Sequence, residues 1–253
     1  MSISKNTIKY IRSLQLKKFR QKYNNFVLEG DKIAREILQQ NKLRVAAIYA
    51  LPQWIEANPS SLQRFPDRIH TITAEELQKI SSLSTPNQVL VVAEQAQQNL
   101  DLNLLQDHLT LYLDGIQDPG NMGTILRIAD WFGLPYVFCS EHCVDVFSPK
   151  VVQASMGALL RVDAIEMSLE SLHQKAPTLP IMGAVLDGSN VFQVQAPTKG
   201  ILVIGNESQG ISTATNALLT HRIAIPAAQQ GGAESLNAAV ATGILVAVLK
   251  NQI

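Results

Sequence analysis

The stretch from Gly200 to Leu249 constrains this chain more than any other part of it. Ile201 to Ile204 form a run of β-formers that stops at Gly205, and Asn206 to Gly210 supply turn residues. The second glycine permits a positive φ or a close backbone approach. Arg222 to Ile225 form another short strand, closed by Pro226, which has no N–H for a sheet ladder. Beyond Gly231 and Gly232, Ser235 stands where an N-cap belongs, and Leu236, Val240, Ile244 and Val248 recur at helical spacing. Two strand exits ending in small polar residues suit a small-molecule site at the carboxyl ends of strands. Ordinary turn chemistry uses the same residues, and local features do not choose between these readings.

Upstream the second half alternates in the same way. Strand Leu109 to Leu113 leads into the loop DGIQDPGNMG, a helix from about Met122 to Phe132 and a strand from Pro135 to Cys139. Ser148 and Pro149 open another helix as N-cap and N1, and Ile181 to Leu186 form a further strand. This alternation predicts a mainly parallel sheet with helices on both faces, and connection rules make it open and un-knotted. In the first half, Ile8, Ile11 and Leu14 lie at helical spacing between basic positions. Phe26 to Gly30 reads as a strand, Asp31 as the cap of the next helix, Val45 to Ala50 as a strand and Pro52 to Asn58 as a short helix. Arg68 to Ile72 and Gln88 to Ala93 are strands, and between them Thr73 caps a helix through Ile80 with Glu76 in the capping-box position. The expected organisation is a small α/β domain over residues 1–98, a polar linker over 99–107 and a second α/β domain over 108–253.

The chain carries equal numbers of basic and acidic residues, 21 of each, but they are segregated. Residues 1–98 have a net charge of +6 and residues 99–253 a net charge of −6. The first 22 residues hold seven basic side chains and no acidic one: Lys5, Lys9, Arg12, Lys17, Lys18, Arg20 and Lys22. Such runs are often plain solvated faces, yet the segregation by half favours a domain that faces a polyanion. No apolar run is long enough to span a bilayer, and the N-terminus lacks the apolar core of a signal peptide, so the expected location is cytoplasmic. Cys139 and Cys143 bracket His142, too few ligands for a closed zinc site; they read as residues at and just past the end of a core strand. No disulfide framework is implied.

The motifs GNESQG, then IP, then ESLN before a small-residue helix resemble two of the three signatures of the SpoU (TrmH-like) RNA 2′-O-ribose methyltransferases of the SPOUT superfamily. Leu111 to Gly133, LYLDGIQDPGNMGTILRIADWFG, resembles the first signature, and the SPKVVQASMGALLRV run is also similar to the family. FVLEGDKIAREIL and STPNQVLVV resemble, more weakly, the ribosomal-protein-like substrate-binding domain found ahead of that core. The resemblance implies a C-terminal trefoil knot in place of the open sheet, S-adenosylmethionine bound in the knotted loops, and a homodimer through the C-terminal domain. It implies methyl transfer to a ribose 2′-hydroxyl of structured RNA. Ribosomal RNA is favoured over transfer RNA because of the separate basic domain. The chain departs from the pattern after Pro226, where the loop is about two residues longer than usual.

Methyl transfer from a sulfonium is an in-line displacement that needs alignment and removal of a hydroxyl proton, and no metal. By resemblance the catalytic set is Arg127, Asn121, Glu207, Ser235 and Asn237. Family mechanisms cast Arg127 as the base; a guanidinium, which resists deprotonation, is better suited to clamping the adjacent phosphate bidentately. Asn121 is expected to orient Arg127 or the ribose, and Glu207 to hold Arg127 or a neighbouring donor. Ile204, Gly205, Asn206, Gly210, Ile225, Ser235, Leu236 and Asn237 are the expected cofactor-binding positions, core packing being the alternative for the apolar ones. The seven N-terminal basic residues and Arg127 are the expected RNA contacts. A binding protein that has lost catalysis would not need to keep this set. A dehydrogenase or hydrolase would need a GxGxxG turn after a first strand or a GK[ST] loop, neither of which is present. The helix Leu236 to Leu249 is apolar nearly all round and is therefore expected to be buried.

Overall fold

The computed structural model describes residues 3–95, 100–228 and 232–251. In chain order the first elements are α1 (Lys5–Ser13), α2 (Lys17–Tyr23), β1 (Asn25–Glu29), α3 (Asp31–Gln39) and β2 (Val45–Ala50). They continue with α4 (Pro52–Ala57), α5 (Pro59–Leu62), β3 (Ile69–Thr71), α6 (Ala74–Ile80) and β4 (Val89–Glu94). Then come α7 (Leu102–Asp107), β5 (Leu109–Asp114), α8 (Pro119–Trp131), β6 (Tyr136–Cys139), α9 (Pro149–Ser155) and β7 (Asp163–Glu166). The last are α10 (Leu169–Lys175), β8 (Ile181–Asn190), β9 (Gly200–Gly205), α11 (Thr213–Asn216), β10 (His221–Ala224) and α12 (Ala238–Lys250).

These elements form two compact units. The first comprises the described residues up to 95 together with Phe147–Leu160. Its sheet has the order β1-β4-β2-β3, with β4 antiparallel to both neighbours and β2 parallel to β3. Ile11 and Leu14 are buried against Val27, Leu90 and Val92, so the helical apolar spacing does face a core. The capping box is complete: Thr73 Oγ1 accepts from the Glu76 N–H, and Glu76 Oε2 accepts from the Thr73 N–H. Asp31 is not a cap. Gly30, at φ +119°, takes that position, and the Asp31 carboxylate instead accepts from Arg35 Nε at 2.7 Å and Trp54 Nε1 at 2.6 Å. The returning segment 147–160 adds α9 beside β1, with the Phe147 and Phe26 rings 4.8 Å apart.

The second unit comprises the described residues from 100 to Val146 and from Arg161 onward. Its six strands run in the order β10-β8-β9-β5-β6-β7, and every pairing is parallel. Part of the expected linker is a helix: Asp101 caps α7, and Leu105 is fully buried in this unit's core. Residues 96–99 of that segment, and 229–231 of the lengthened loop, lie outside the described residues. α8 starts at Pro119, three residues earlier than expected, because Asp118 caps it by accepting from the Asn121 N–H at 2.7 Å. α12 starts later than expected: its cap is Asn237, not Ser235. One side of α12 is also open, with Val240 52% exposed, so the helix is not buried all round. Among the described residues, no helix is long and apolar enough to cross a membrane.

The basic N-terminal residues divide sharply. Lys5, Lys9, Arg12, Lys17, Lys18 and Lys22 are exposed on α1 and α2, with Lys18 over the Phe19 ring and Lys22 over the Tyr23 ring. Arg20 is 2% exposed and its Nη1 donates to Leu14 O at 2.8 Å, which ties the α1 exit to α2. It serves packing and is withdrawn from the set of surface contacts. Arg20→Ala is therefore expected to lower stability by about 2 kcal/mol through removal of a charged hydrogen bond, which leaves a carbonyl unpaired. Lys18→Ala should change it by less than about 0.5 kcal/mol, and urea denaturation of the two variants distinguishes these outcomes.

Candidate active site

The site is created where two parallel strands part. β5 and β9 stay in register along their whole length, from Leu109 opposite Gly200 to Asp114 opposite Gly205. On its other side β9 pairs with β8 only as far as Gly183 opposite Val203. The β8–β10 ladder shifts at the same level: Arg222 faces Gly183, but the next residue, Ile223, faces Ser189. The bulged residues of β8 are thereby turned out of the ladder. A cleft of about 920 Å³ lies there, walled by Ala184–Asp187, by the loop Gly205–Ile211 and by Glu234–Leu236. Ile204, Ile223, Ala238, Ala241 and Leu245 supply apolar lining, while Asp187, Asn216 and Arg222 supply polar groups. Arg222 donates to Asp187 at 2.6 Å and to Asn216 at 2.7 Å, and the bond to Asp187 holds its carboxyl below the ordinary range.

The loop after β9 folds back on the strand end through the bridge between Asn206 and Gly210. A Cβ on Gly205 would come within 2.4 Å of the Gly210 backbone, so only glycine permits this return; Gly210 itself sits at φ +68°. Asn206 organises the turn. Its Oδ1 accepts from the amides of Ser208 and Gln209, each at 3.0 Å, and its Nδ2 donates to Gly115 O at 2.7 Å. Its side-chain atoms are thus committed to the protein, although the residue lines the cleft as expected.

A relay of side-chain amides joins all three motif segments. Asn121 Nδ2 donates to Glu207 Oε1 at 2.6 Å, and Asn121 Oδ1 accepts from Asn237 Nδ2 at 2.8 Å. Asn237 Oδ1 accepts in turn from the amides of Ala239 and Val240 at the start of α12. Both amide orientations follow from chemistry, because an ionised carboxylate only accepts and helix N-terminal amides only donate. Glu207 therefore grips the neighbouring amide Asn121, and not Arg127. Arg127 lies on the exposed side of α8, and no hydrogen bond or ion pair ties it to another described residue. Gly123, one turn before it on the same side of the helix, is buried.

Of the expected cofactor positions, Ile204, Gly205, Asn206, Gly210, Ile225, Ser235 and Leu236 all line the cleft, and Asn237 belongs to the relay beside it. Ala184–Asp187, Ile211 and Arg222 also line the cleft and are absent from the expected set, because the slip in the β8–β10 pairing depends on two strands that are distant in sequence. Cys139 ends β6 and is buried. A hydrogen bond to Cys143, together with burial, pushes the Cys139 thiol up, while the same bond holds Cys143 at about 7. Among the described residues no group of three His, Cys, Asp or Glu is placed to hold a metal.

Known proteins match this chain in sequence and in fold. Residues 108–247 match the SpoU rRNA Methylase family, and residues 5–91 match the MRM3-like substrate binding domain. The chain belongs to the SpoU family. It is 27% identical to the 23S rRNA (guanosine(2553)-2′-O)-methyltransferase RlmP of Bacillus subtilis, over 97% of this chain and 96% of that one. A putative RNA methyltransferase of the TrmH family from Porphyromonas gingivalis has the same fold, with a TM-score of 0.87, 35% identity and complete coverage of both chains. The AdoMet-bound rRNA methyltransferase from Sinorhizobium meliloti aligns with a TM-score of 0.86 and 25% identity, over 100% of this chain and 97% of that one.

The relay is directional, and this gives a test. Asn121→Asp sets a second carboxylate against Glu207 and should cost about 1 kcal/mol more at pH 7 than Asn121→Ala. The difference should shrink as the pH falls through the carboxylate range of about 4, as read from thermal unfolding of both variants across that range.

Proposed function

We propose that this protein is an S-adenosylmethionine-dependent methyltransferase that modifies a ribose 2′-hydroxyl of ribosomal RNA. The observation that carries the reading is the Glu207–Asn121–Asn237 relay, which links the three motif segments beside the cleft at the parted strands. The cleft suits S-adenosylmethionine: its volume is that of a cofactor site, its lining combines apolar side chains with polar groups, and main-chain groups of the Gly205–Gly210 loop are at its wall. Ile204, Gly205, Gly210, Ile225, Ser235 and Leu236 would hold it, joined by the bulged residues of β8. The cofactor supplies a methyl group already attached to a good leaving group. The RNA 2′-oxygen would bond to the methyl carbon as the carbon–sulfur bond breaks to leave a neutral thioether, and the hydroxyl proton would pass to solvent water. Arg127, exposed and uncommitted among the described residues, clamps the phosphate beside the reacting ribose and stabilises the developing oxyanion. Asn121, Glu207 and Asn237 position the two loops and the start of α12. They act through that scaffold.

The first unit is the RNA-holding module in this reading, with the exposed Lys5, Lys9, Arg12, Lys17, Lys18 and Lys22 as phosphate contacts. The sequence similarity to RlmP, a 23S rRNA enzyme, favours ribosomal over transfer RNA as the substrate. The proposal includes the trefoil knot, a cytoplasmic setting and a homodimer through the second unit. In support of the dimer, α8 packs with α12, and the two leave Trp131 85% and Val240 52% exposed.

The deciding experiment is transfer of labelled methyl from S-adenosylmethionine to total RNA from cells lacking the gene, followed by size fractionation and digestion. Label on ribose in a ribosomal band is expected. Label on ribose in transfer RNA would overturn the substrate, and label on a base would overturn the chemistry. Arg127→Ala is expected to slow transfer by about 100-fold or more, with cofactor affinity changed by less than about threefold; Arg127→Lys should not restore the rate. Single-turnover rates and calorimetric titration of the cofactor measure the two quantities separately.

A further inference from the structure

Cys139 and Cys143, the two cysteines of the chain, stand outside the cleft at the parted strands. Cys139 is the last residue of β6, buried and opposite Leu113 in the register with β5. Residues 140–143 then turn, with the Cys143 N–H donating to Ser140 O at 3.0 Å. The turn carries the second sulfur back to the strand that the chain has just left. Cys143 Sγ donates to Leu113 O at 3.2 Å, the same oxygen that accepts from the Ser140 N–H at 2.9 Å. The sulfur therefore lies against the Cys139–Ser140 peptide, and the two thiols hydrogen-bond to one another. Cys143 is half-buried and follows two exposed residues, Glu141 and His142.

The surroundings of Cys143 suit an anion. The Cys139 S–H donates to its sulfur, the Ser140 hydroxyl is 3.7 Å away, and the backbone amides of Ile116 and Gly115 bond to it as well. These donors outweigh burial and hold the thiol at about 7. Loss of its proton leaves no carbonyl stranded, because Leu113 O keeps the Ser140 N–H. The thiolate is the nucleophilic form of cysteine, and a second thiol beside it is a ready partner for a disulfide. Cys139 is suited to that second role. Its thiol is pushed up first by the bond to Cys143 and then by burial. Conversion of the Cys143 anion to a neutral group removes the first cause, so Cys139 becomes easier to deprotonate once Cys143 has reacted.

We propose that Cys143 is a site of reversible oxidation by hydroperoxides, with Cys139 as its resolving thiol. In the first step the Cys143 thiolate attacks the terminal peroxide oxygen. A sulfur–oxygen bond forms, the oxygen–oxygen bond breaks, and the departing alkoxide or hydroxide takes a proton from water. Cys143 is then a sulfenic acid and the peroxide has been reduced. In the second step the Cys139 thiolate attacks the Cys143 sulfur, having given its proton to solvent. The sulfur–sulfur bond forms as the sulfur–oxygen bond breaks, and the hydroxide that leaves is protonated to water. A dithiol reductant reverses the modification by exchange. The inference is independent of the reaction proposed for the cleft.

The test uses the reduced full chain, treated with equimolar hydrogen peroxide, alkylated with iodoacetamide and digested for mass spectrometry. Both cysteines fall in one tryptic peptide, residues 128–150. That peptide is expected to escape alkylation and to be lighter by the two thiol hydrogens, and a dithiol reductant should restore it. In Cys139→Ser the reaction should stop at the sulfenic acid, which dimedone traps on Cys143. In Cys143→Ser, Cys139 should survive the peroxide and alkylate only after unfolding. Without peroxide, the alkylation rate of the native wild type should rise with pH to a plateau, half-maximal near 7. A wild-type peptide that keeps both thiols would overturn the proposal, as would a dimedone adduct on Cys139. Trapping of Cys143 sulfenic acid in wild type with no disulfide would overturn the resolving role of Cys139. A disulfide between two chains would overturn the pairing within one.

Discussion

The Asn121 amide is the interaction on which the site depends. One end meets a carboxylate that only accepts, the other an amide whose own oxygen is taken by helix N–H groups. The two ends leave each amide one orientation, so the β9 loop, the start of α8 and the start of α12 are set relative to one another by hydrogen-bond polarity. Hydrophobic packing brings these elements together; it is non-directional and does not fix the angle of a loop. The relay does so with side chains at the edge of the cleft, where packing alone would leave slack.

Much of this is legible in the chain. Strand ends fall within a residue or two of expectation where a β-forming run meets a glycine, as at Ile204–Gly205, and the Thr73–Glu76 cap forms as its spacing requires. The glycines of the β9 loop announce a tight return because few other residues fit one. What stays hidden is long-range. The Asp187-Gly188-Ser189-Asn190 run in β8 marks an irregularity, but the size of the slip between Gly183 and Ser189 is set by two strands and not by one. The start of α8 is hard to place because the DPGN segment reads as a turn until Asp118 is seen to cap a helix. Glu207 is expected to act on Arg127 or a donor near it, and which donor it takes is a matter of loop geometry that spacing does not encode.

Charge in the first unit shows the same division between local and long-range information. A run of seven basic residues looks uniform in sequence, yet Arg20 is folded inward to satisfy a carbonyl while the other six face water. The inward one differs only in that its position on α2 points toward the α1 exit. Lysine could not replace it easily there, since a buried ammonium loses hydration that the more weakly hydrated guanidinium misses less.

The return of residues 147–160 to the first unit bears on how the protein is made. Strand β1 is synthesised early, but Phe147 and α9, which pack beside Phe26, are translated more than a hundred residues later. At ribosomal speeds of about 5–20 residues per second, that edge of the nascent first unit waits for several seconds without its cover. During this interval β5, β6 and α8 have already emerged. Vectorial synthesis therefore does not deliver the two units one after the other, and completion of the first is tied to the half-built state of the second.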